Sequence, residues 1–220
     1  MILSIPNVLS SESLASIRES LASAPFVDGR LTASEQVGSV KNNLQLDEQS
    51  ALHAELAECI RQAVLDNAFF QIAAWPKVLQ PFRFNRYETG MGYGRHVDDP
   101  ICQGVRSDIS MTLFLSDPDS YDGGELVIEL GGDERSAKLA AGNMVIYPST
   151  TLHRVEPVTR GTRLGAVNWC QSYIRDAARR ELIFELDMAR RSLFKRDGKS
   201  GEFDSVSNAL ANLLRMWSDT

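Results

Sequence analysis

The sequence predicts a mainly β protein with helices on both flanks. Between about residues 81 and 173, short β-branched and aromatic runs alternate with turn residues. Before and after that stretch, apolar residues recur at three- and four-residue spacing. Short, closely spaced strands of this kind build a sandwich or barrel, and amphipathic helices pack on it.

Taken in chain order, Ile2 to Ile5 reads as a short strand. A helix follows it, with Ser10 or Ser11 as N-cap and Leu14, Ile17, Leu21 and Ala22 on its apolar face. Residues 26–44 lack periodicity, and Gly29 and Gly38 predict loops or short extended pieces there. A second helix is expected from about Asp47 to Asn67, carried by Leu52, Leu56, Ile60, Ala63 and Val64. The pattern changes after Pro76. The predicted strands are PFRFNRYE, DISMTLFLS, GELVIEL, SAKL, NMVIYP and TRLGAVNWCQSY, parted by DPDSYDGG, GGDER, AAG and TRG. Helix returns over about 174–194, breaks at DGKSG, and resumes with Phe203, Val206, Leu210, Leu213, Leu214 and Trp217 as a core-packing stripe. The resulting division is 1–78 (an N-terminal strand and helices on the core), 79–173 (the β core) and 174–220 (a C-terminal helical extension).

Composition excludes several classes. The chain has 220 residues, 43% hydrophobic and 24% charged, as in an ordinary globular domain. A net charge of −6 disfavours general phosphate-backbone binding, so no nucleic-acid partner is expected. No apolar run approaches the roughly 20 residues that span a bilayer, so no membrane partner is expected. The start, MILSIPNVLSSES, lacks a basic region and a long apolar run, which predicts no signal peptide. Cys59, Cys102 and Cys170 are odd in number and form no CxxC, as expected of reduced thiols in a cytoplasmic protein.

The chemistry rests on scarce residues. Only three histidines occur, His53, His96 and His153. In His96-Val97-Asp98, residues two apart on an extended segment share a side, so His96 and Asp98 can reach one ion. His153, 55 residues after Asp98 and across several strands, completes two histidines and a carboxylate. That set leaves three adjacent coordination positions open and typifies non-haem Fe(II) oxygenases. Arg163 follows His153 by ten residues, and the ordered set is far more specific than an HxD triplet alone. Asp99 would project to the opposite side. His53 sits on a predicted helix beside Glu55 and Glu58, where a solvated or capping role is expected. Asp122-Gly123-Gly124-Glu125 is a turn into a strand and receives no chemistry. The run RRELIFELDMARRSLFKR reads as a solvated helix.

The segments RYETGMGYGRHVDDP, RSDISMTLFLSDPDSYDGGELVIE and AGNMVIYPSTTLHRVEPVTRGTR resemble the prolyl-hydroxylase branch of the Fe(II)/2-oxoglutarate dioxygenases. Most closely they resemble the bacterial PKHD-type hydroxylases, over nearly the full length. The resemblance implies a double-stranded β-helix, a jelly roll with iron at one open end. It implies Fe(II) on His96, Asp98 and His153, 2-oxoglutarate and O2 as co-substrates, and L-ascorbate to keep the iron reduced. It implies that Arg163 anchors the far carboxylate of 2-oxoglutarate, where collagen-type enzymes use lysine; a guanidinium fork matches that carboxylate. Tyr87, nine residues before His96, falls where relatives place a tyrosine near the co-substrate, and Trp169 shares a strand face with Arg163 by even spacing. Both also fit a packed core. Phe114 stands where some animal enzymes carry a carboxylate-binding tyrosine, leaving Ser110, Thr112 or Tyr147 to substitute. The substrate could be a prolyl side chain, a free amino acid or a small metabolite, chosen by loops 26–44 and 100–107. Two rival readings are a non-catalytic β-barrel that binds or senses iron, and a zinc hydrolase. The hydrolase reading lacks a catalytic Glu beside a ligand His and leaves Arg163 unexplained. Oligomeric state is not legible.

Overall fold

The computed structural model describes residues 1–32 and 38–220. Residues 33–37, part of the 26–44 loop expected to choose the substrate, lie outside the described residues.

Two antiparallel sheets organise the chain. The larger has eight strands, in the order β1 (Leu3–Ile5), β14 (Met144–Pro148), β10 (Ile109–Phe114), β17 (Arg163–Ser172), β6 (Arg83–Tyr87), β4 (Leu44–Leu46) and β2 (Phe26–Asp28), with β5 (Pro76–Leu79) also paired to β17. The smaller has five: β13 (Asp133–Ala137), β12 (Leu126–Leu130), β15 (His153–Val155), β7 (Gly92–His96) and β3 (Lys41–Asn42). Two short ribbons, β8 (Ile101–Cys102) with β9 (Val105–Arg106) and β11 (Tyr121–Gly123) with β16 (Val158–Gly161), sit beside them. Strands from the first 46 residues therefore hydrogen-bond into both sheets.

Strand alternation separates two cores. On β10, Met111 and Leu113 face one way, while Ser110, Thr112 and Phe114 face the other; on β14, Met144 and Ile146 oppose Val145 and Tyr147. Met111, Leu113, Met144 and Ile146 meet the helices α1 (Ser11–Ala22) and α2 (Ala51–Asp66) through Ile17, Leu21, Leu56, Ile60 and Val64. Phe114, Val145 and Tyr147 meet Leu126, Ile128 and Val155 of the smaller sheet. Both faces of β10 are buried, so its run is apolar with polar residues only where the inner face needs them.

Ser10 caps α1, accepting a hydrogen bond from the Ser13 amide at 3.1 Å. The second predicted helix divides: Ser50 caps α2, and Asn67 caps the separate α3 (Ala68–Ala74) by accepting from Phe69 and Phe70 at 3.0 Å. The turn GGDER is shorter than expected, because Gly131 and Gly132 at φ 63° and 92° make the reversal and Asp133 already pairs with Leu130. The C-terminal helices α4 (Ala177–Asp197) and α5 (Gly201–Trp217) close over Ile174, Ile183 and Leu210, with Leu214 and Trp217 beside them. The α4 run is not wholly solvated. Buried Arg180 donates to the Ile174 carbonyl at 2.7 Å, and buried Asp187 is held by Arg190 and Arg191. No helix among the described residues is long and apolar enough to cross a membrane.

Candidate active site

The triad is assembled by the smaller sheet. Register sets His96 on β7 directly opposite His153 on β15, with ring centroids 4.3 Å apart. β7 ends at His96, and Asp98 lies just beyond it. His96 Nδ1 is 2.8 Å from the Gly94 carbonyl and His153 Nδ1 is 3.1 Å from the Thr151 carbonyl. Each ring thereby donates its Nδ1 proton to backbone and keeps the Nε2 lone pair free. Asp98 Oδ1 lies 3.9 Å from His96 Nε2 and 3.7 Å from His153 Nε2, too far for hydrogen bonds but suited to a shared ion. Ser110 Oγ donates to Asp98 Oδ2 at 2.5 Å and lies 2.8 Å from Ser149 Oγ, which fixes the carboxylate's orientation. One donor atom from each of the three residues lies within 4.8 Å of the others. Two imidazole nitrogens and one carboxylate oxygen fit Fe(II). Burial, with His153 as neighbour, pushes His96 down to about 4, so its ring is neutral and ready to bind metal near neutral pH.

The same cavity is lined by Arg163, which is 2% exposed. Register places Arg163 opposite Tyr87 across β17 and β6, and its guanidinium carbon lies 5.0 Å from the Tyr87 ring and 5.6 Å from that of Phe114. No carboxylate among the described residues pairs with it, and its Nε lacks a hydrogen-bond partner. A buried, unpaired guanidinium is costly unless an anion completes it. Gly124 matters here. It adopts φ +67°, and a Cβ there would lie 3.0 Å from Arg163 Cδ, so glycine leaves the room the arginine stem occupies. Ser110 is committed to Asp98. Tyr147 is also buried, with its ring 5.1 Å from His153.

One wall of the cavity is polar. Lys41 on β3 is 6% exposed; its Nζ donates to Thr32 Oγ1 at 2.9 Å and stands 5.5 Å from the centre of the Tyr93 ring. Tyr93 stacks on His96 at 3.7 Å between centroids. Gln45 Nε2 and Asn43 Nδ2 both donate to Asn85 Oδ1, at 2.7 and 3.3 Å. Trp169 closes the opposite wall, on the same face of β17 as Arg163, with the Arg83 guanidinium 5.1 Å from its ring. Arg83 itself is paired with Glu48 at 2.8 Å.

The remaining residues sort clearly. Asp99 is exposed at the mouth, outside the ligand cluster. His53 is 5% exposed rather than solvated, because the inner face of α2 turns it onto the Phe84 ring at 5.7 Å. Burial lowers its pKa. Lys41 and the amide cluster of Gln45, Asn43 and Asn85 have no signal of their own in the sequence. Lys41 and Asn43 lie in the aperiodic stretch 26–44 and Gln45 just after it, and pairing of these short strands with β7 and β6 brings them to the cavity beside Asn85.

Residues 82–171 match the 2OG-Fe(II) oxygenase superfamily, and residues 176–219 match the PKHD-type hydroxylase C-terminal domain. A PKHD-type hydroxylase of Picosynechococcus sp. is 52% identical over 219 residues, covering 100% of both chains. Another from Acaryochloris marina is 50% identical, again over 100% of both. Among solved structures, a Pseudomonas putida prolyl-4-hydroxylase is 21% identical with a TM-score of 0.53, covering 78% of this chain and 92% of its own. A Trichoplax adhaerens prolyl hydroxylase, solved with a hypoxia inducible factor peptide fragment, is 14% identical with a TM-score of 0.55, covering 82% and 86%. These two likenesses are of fold, and the fold is the expected jelly roll. Sequence, fold and donor set agree: the chain belongs to the PKHD-type hydroxylases of the 2OG-Fe(II) oxygenase superfamily.

Proposed function

We propose that His96, Asp98 and His153 hold Fe(II), and that Arg163, with Tyr87 beside it, holds the far carboxylate of 2-oxoglutarate. The reaction is 2-oxoglutarate + O2 + R–H → succinate + CO2 + R–OH. The carrying observation is a single cavity that contains three metal donors with free lone pairs and, deeper, a buried guanidinium without a carboxylate. Bound Fe(II) supplies the oxidative chemistry; the protein orients and shields it. The Gly94 and Thr151 carbonyls fix the two histidine tautomers, and Ser110 orients Asp98. Tyr87 and Phe114 wall the guanidinium from water, which strengthens its hold on an anion. No side-chain base is required. A carboxylate at position 98 favours hydroxylation over halogenation, since a halide needs a vacated ligand position.

Trp169 forms the wall past which the substrate enters. L-Ascorbate sustains turnover by returning oxidised iron to Fe(II). Residues 79–173 form the catalytic unit, with 1–78 and 174–220 supporting it. A cytoplasmic setting fits the free thiols Cys59, Cys102 and Cys170. The substrate class reaches this chain only by likeness: prolyl residues in the solved neighbours, and more broadly a free amino acid or small metabolite. The test is uncoupled turnover. Protein, Fe(II) and 2-oxoglutarate are mixed anaerobically, oxygen is admitted, and succinate is measured. Wild type should release succinate and His153→Ala should not; equal release from both would overturn the ligand set.

A further inference from the structure

The cavity contains a second buried cation that the reaction above leaves unused. Arg163 has a role in 2-oxoglutarate binding, and Arg83 is neutralised by Glu48 at 2.8 Å. Lys41 is more than nine-tenths buried, lines the same cavity, and forms no ion pair with a carboxylate of the described residues. Thr32 Oγ1 accepts one of its three ammonium protons, at 2.9 Å, and the other two have no acceptor among the described residues. The position is on the substrate side: the Lys41 ammonium stands over Tyr93, and Tyr93 is stacked on the metal-side ring of His96. Burial holds its pKa down, to about 8, with Arg83 adding to the effect. A buried ammonium with free donors calls for an anion, as at Arg163.

The anion is singly charged. Among the described residues Lys41 is, besides Arg163, the cation of this cavity without a carboxylate partner. The neutral amides of Gln45, Asn43 and Asn85 line the same cavity, and Glu48 and Asp28 act on the ammonium without pairing with it, a balance that suits a carboxylate better than a phosphate dianion. The lining adds a second property. Val97, exposed and apolar, lines the cavity together with Leu126, Val155, Val167 and Trp169. Apolar walls carrying a few polar groups suit a hydrocarbon body.

We propose that Lys41 binds a carboxylate of the substrate, and that the molecule hydroxylated is a small carboxylic acid with an apolar body. This rests on the dioxygenase reading for the word hydroxylated, but the binding site itself does not need turnover.

The test uses full-length protein loaded with Zn(II) and 2-oxoglutarate, which cannot turn over. The probes are 4-methylpentanoate and its uncharged amide. Acetylation of each lysine by a water-soluble acylating agent is followed by peptide mass spectrometry. The expected result is severalfold slower acetylation of Lys41 with the acid, no slowing with the amide, and unchanged rates at Lys77, Lys138, Lys195 and Lys199. Equal protection by both probes, or by neither, would overturn the proposal. So would full protection of Lys41 by 2-oxoglutarate alone, which would give Lys41 to the co-substrate. A second measurement compares calorimetric binding of the acid to Lys41→Arg and Lys41→Met: the arginine should keep the preference for acid over amide and the methionine should lose it. A preference that survives in Lys41→Met would place the carboxylate elsewhere. The acetylation experiment uses wild type, so it stands even where Lys41→Met fails to fold. To separate this from the function reading, acetylation is repeated on metal-free protein. Protection there, with no succinate formed by the iron-loaded enzyme, would keep Lys41 as a carboxylate site and sink the dioxygenase assignment.

Discussion

The two ends of the cavity are built by different means. At the closed end, Arg163 is set by the register of the long strand β17 against β6 and boxed by Tyr87, Phe114 and Gly124. Around Lys41 the strands are two and three residues long, and a relay of side-chain hydrogen bonds joins the side chains that their pairing brings together. The closed end has one geometry, suited to a co-substrate common to all turnovers. The Lys41 end is assembled from short strands and the loops between them, where a substrate is distinguished. Chemistry that never changes is placed on rigid register, and specificity on the short pieces around it.

Four perturbations break or sharpen that contrast, in decreasing order of effect. Arg163→Ala removes a buried charge-assisted pair, so the 2-oxoglutarate requirement should rise roughly 30- to 1,000-fold. Iron binding should be spared. A steady-state titration of 2-oxoglutarate checks this, and an unchanged KM would defeat the anchor role. Ser110→Ala frees Asp98 Oδ2, and metal affinity should fall roughly 10- to 100-fold with the 2-oxoglutarate requirement little moved. Competition against a chelator measures it.

Gly124→Ala places a methyl 3.0 Å from Arg163 Cδ at φ +67°. The strain should weaken 2-oxoglutarate binding by about 1 kcal/mol or more, roughly fivefold. A purely local effect on turn stability, with the KM unmoved, would show that Arg163 does not need the glycine. The smallest effect is on acid stability of the metal-free protein. Burial depresses both His96, to about 4, and His53, against an ordinary value of 6.5. The unfolded chain therefore binds protons first as pH falls. Stability is full above about 6.5 and is lost progressively below it, for His96 toward 4. Urea unfolding from pH 7.5 to 4.5 should show that loss, and His53→Gln should make it shallower.

The long elements are legible in the sequence, the helices by their period and the strands by their composition and bounding turns. β6, β10, β12, β14 and β17 are β-branched and aromatic runs bounded by turn residues, and on β10 the Ser110 and Thr112 positions reveal which face looks into the cavity. The triad was legible because histidine is scarce and the HxD spacing needs only an extended segment. Strands of two or three residues such as β3 and β15 carry no period at all; they exist because a distant partner strand pairs with them. Lys41 was invisible for that reason, since its burial is decided by Tyr93 across the β3–β7 pair. His53 was misjudged from its acidic chain neighbours, when the packing of α2 against β6 determines its surroundings.

The most direct measurement is anaerobic titration of Fe(II) and 2-oxoglutarate into wild type and into His96→Ala, Asp98→Ala and His153→Ala. It is followed by the visible charge-transfer absorption that a ferrous ion gains when a 2-oxo acid chelates it. Wild type should saturate at one iron per chain, and each variant should lose the band or require far more metal. A band of full strength and affinity in any of the three would contradict the claim that these side chains hold one ferrous ion.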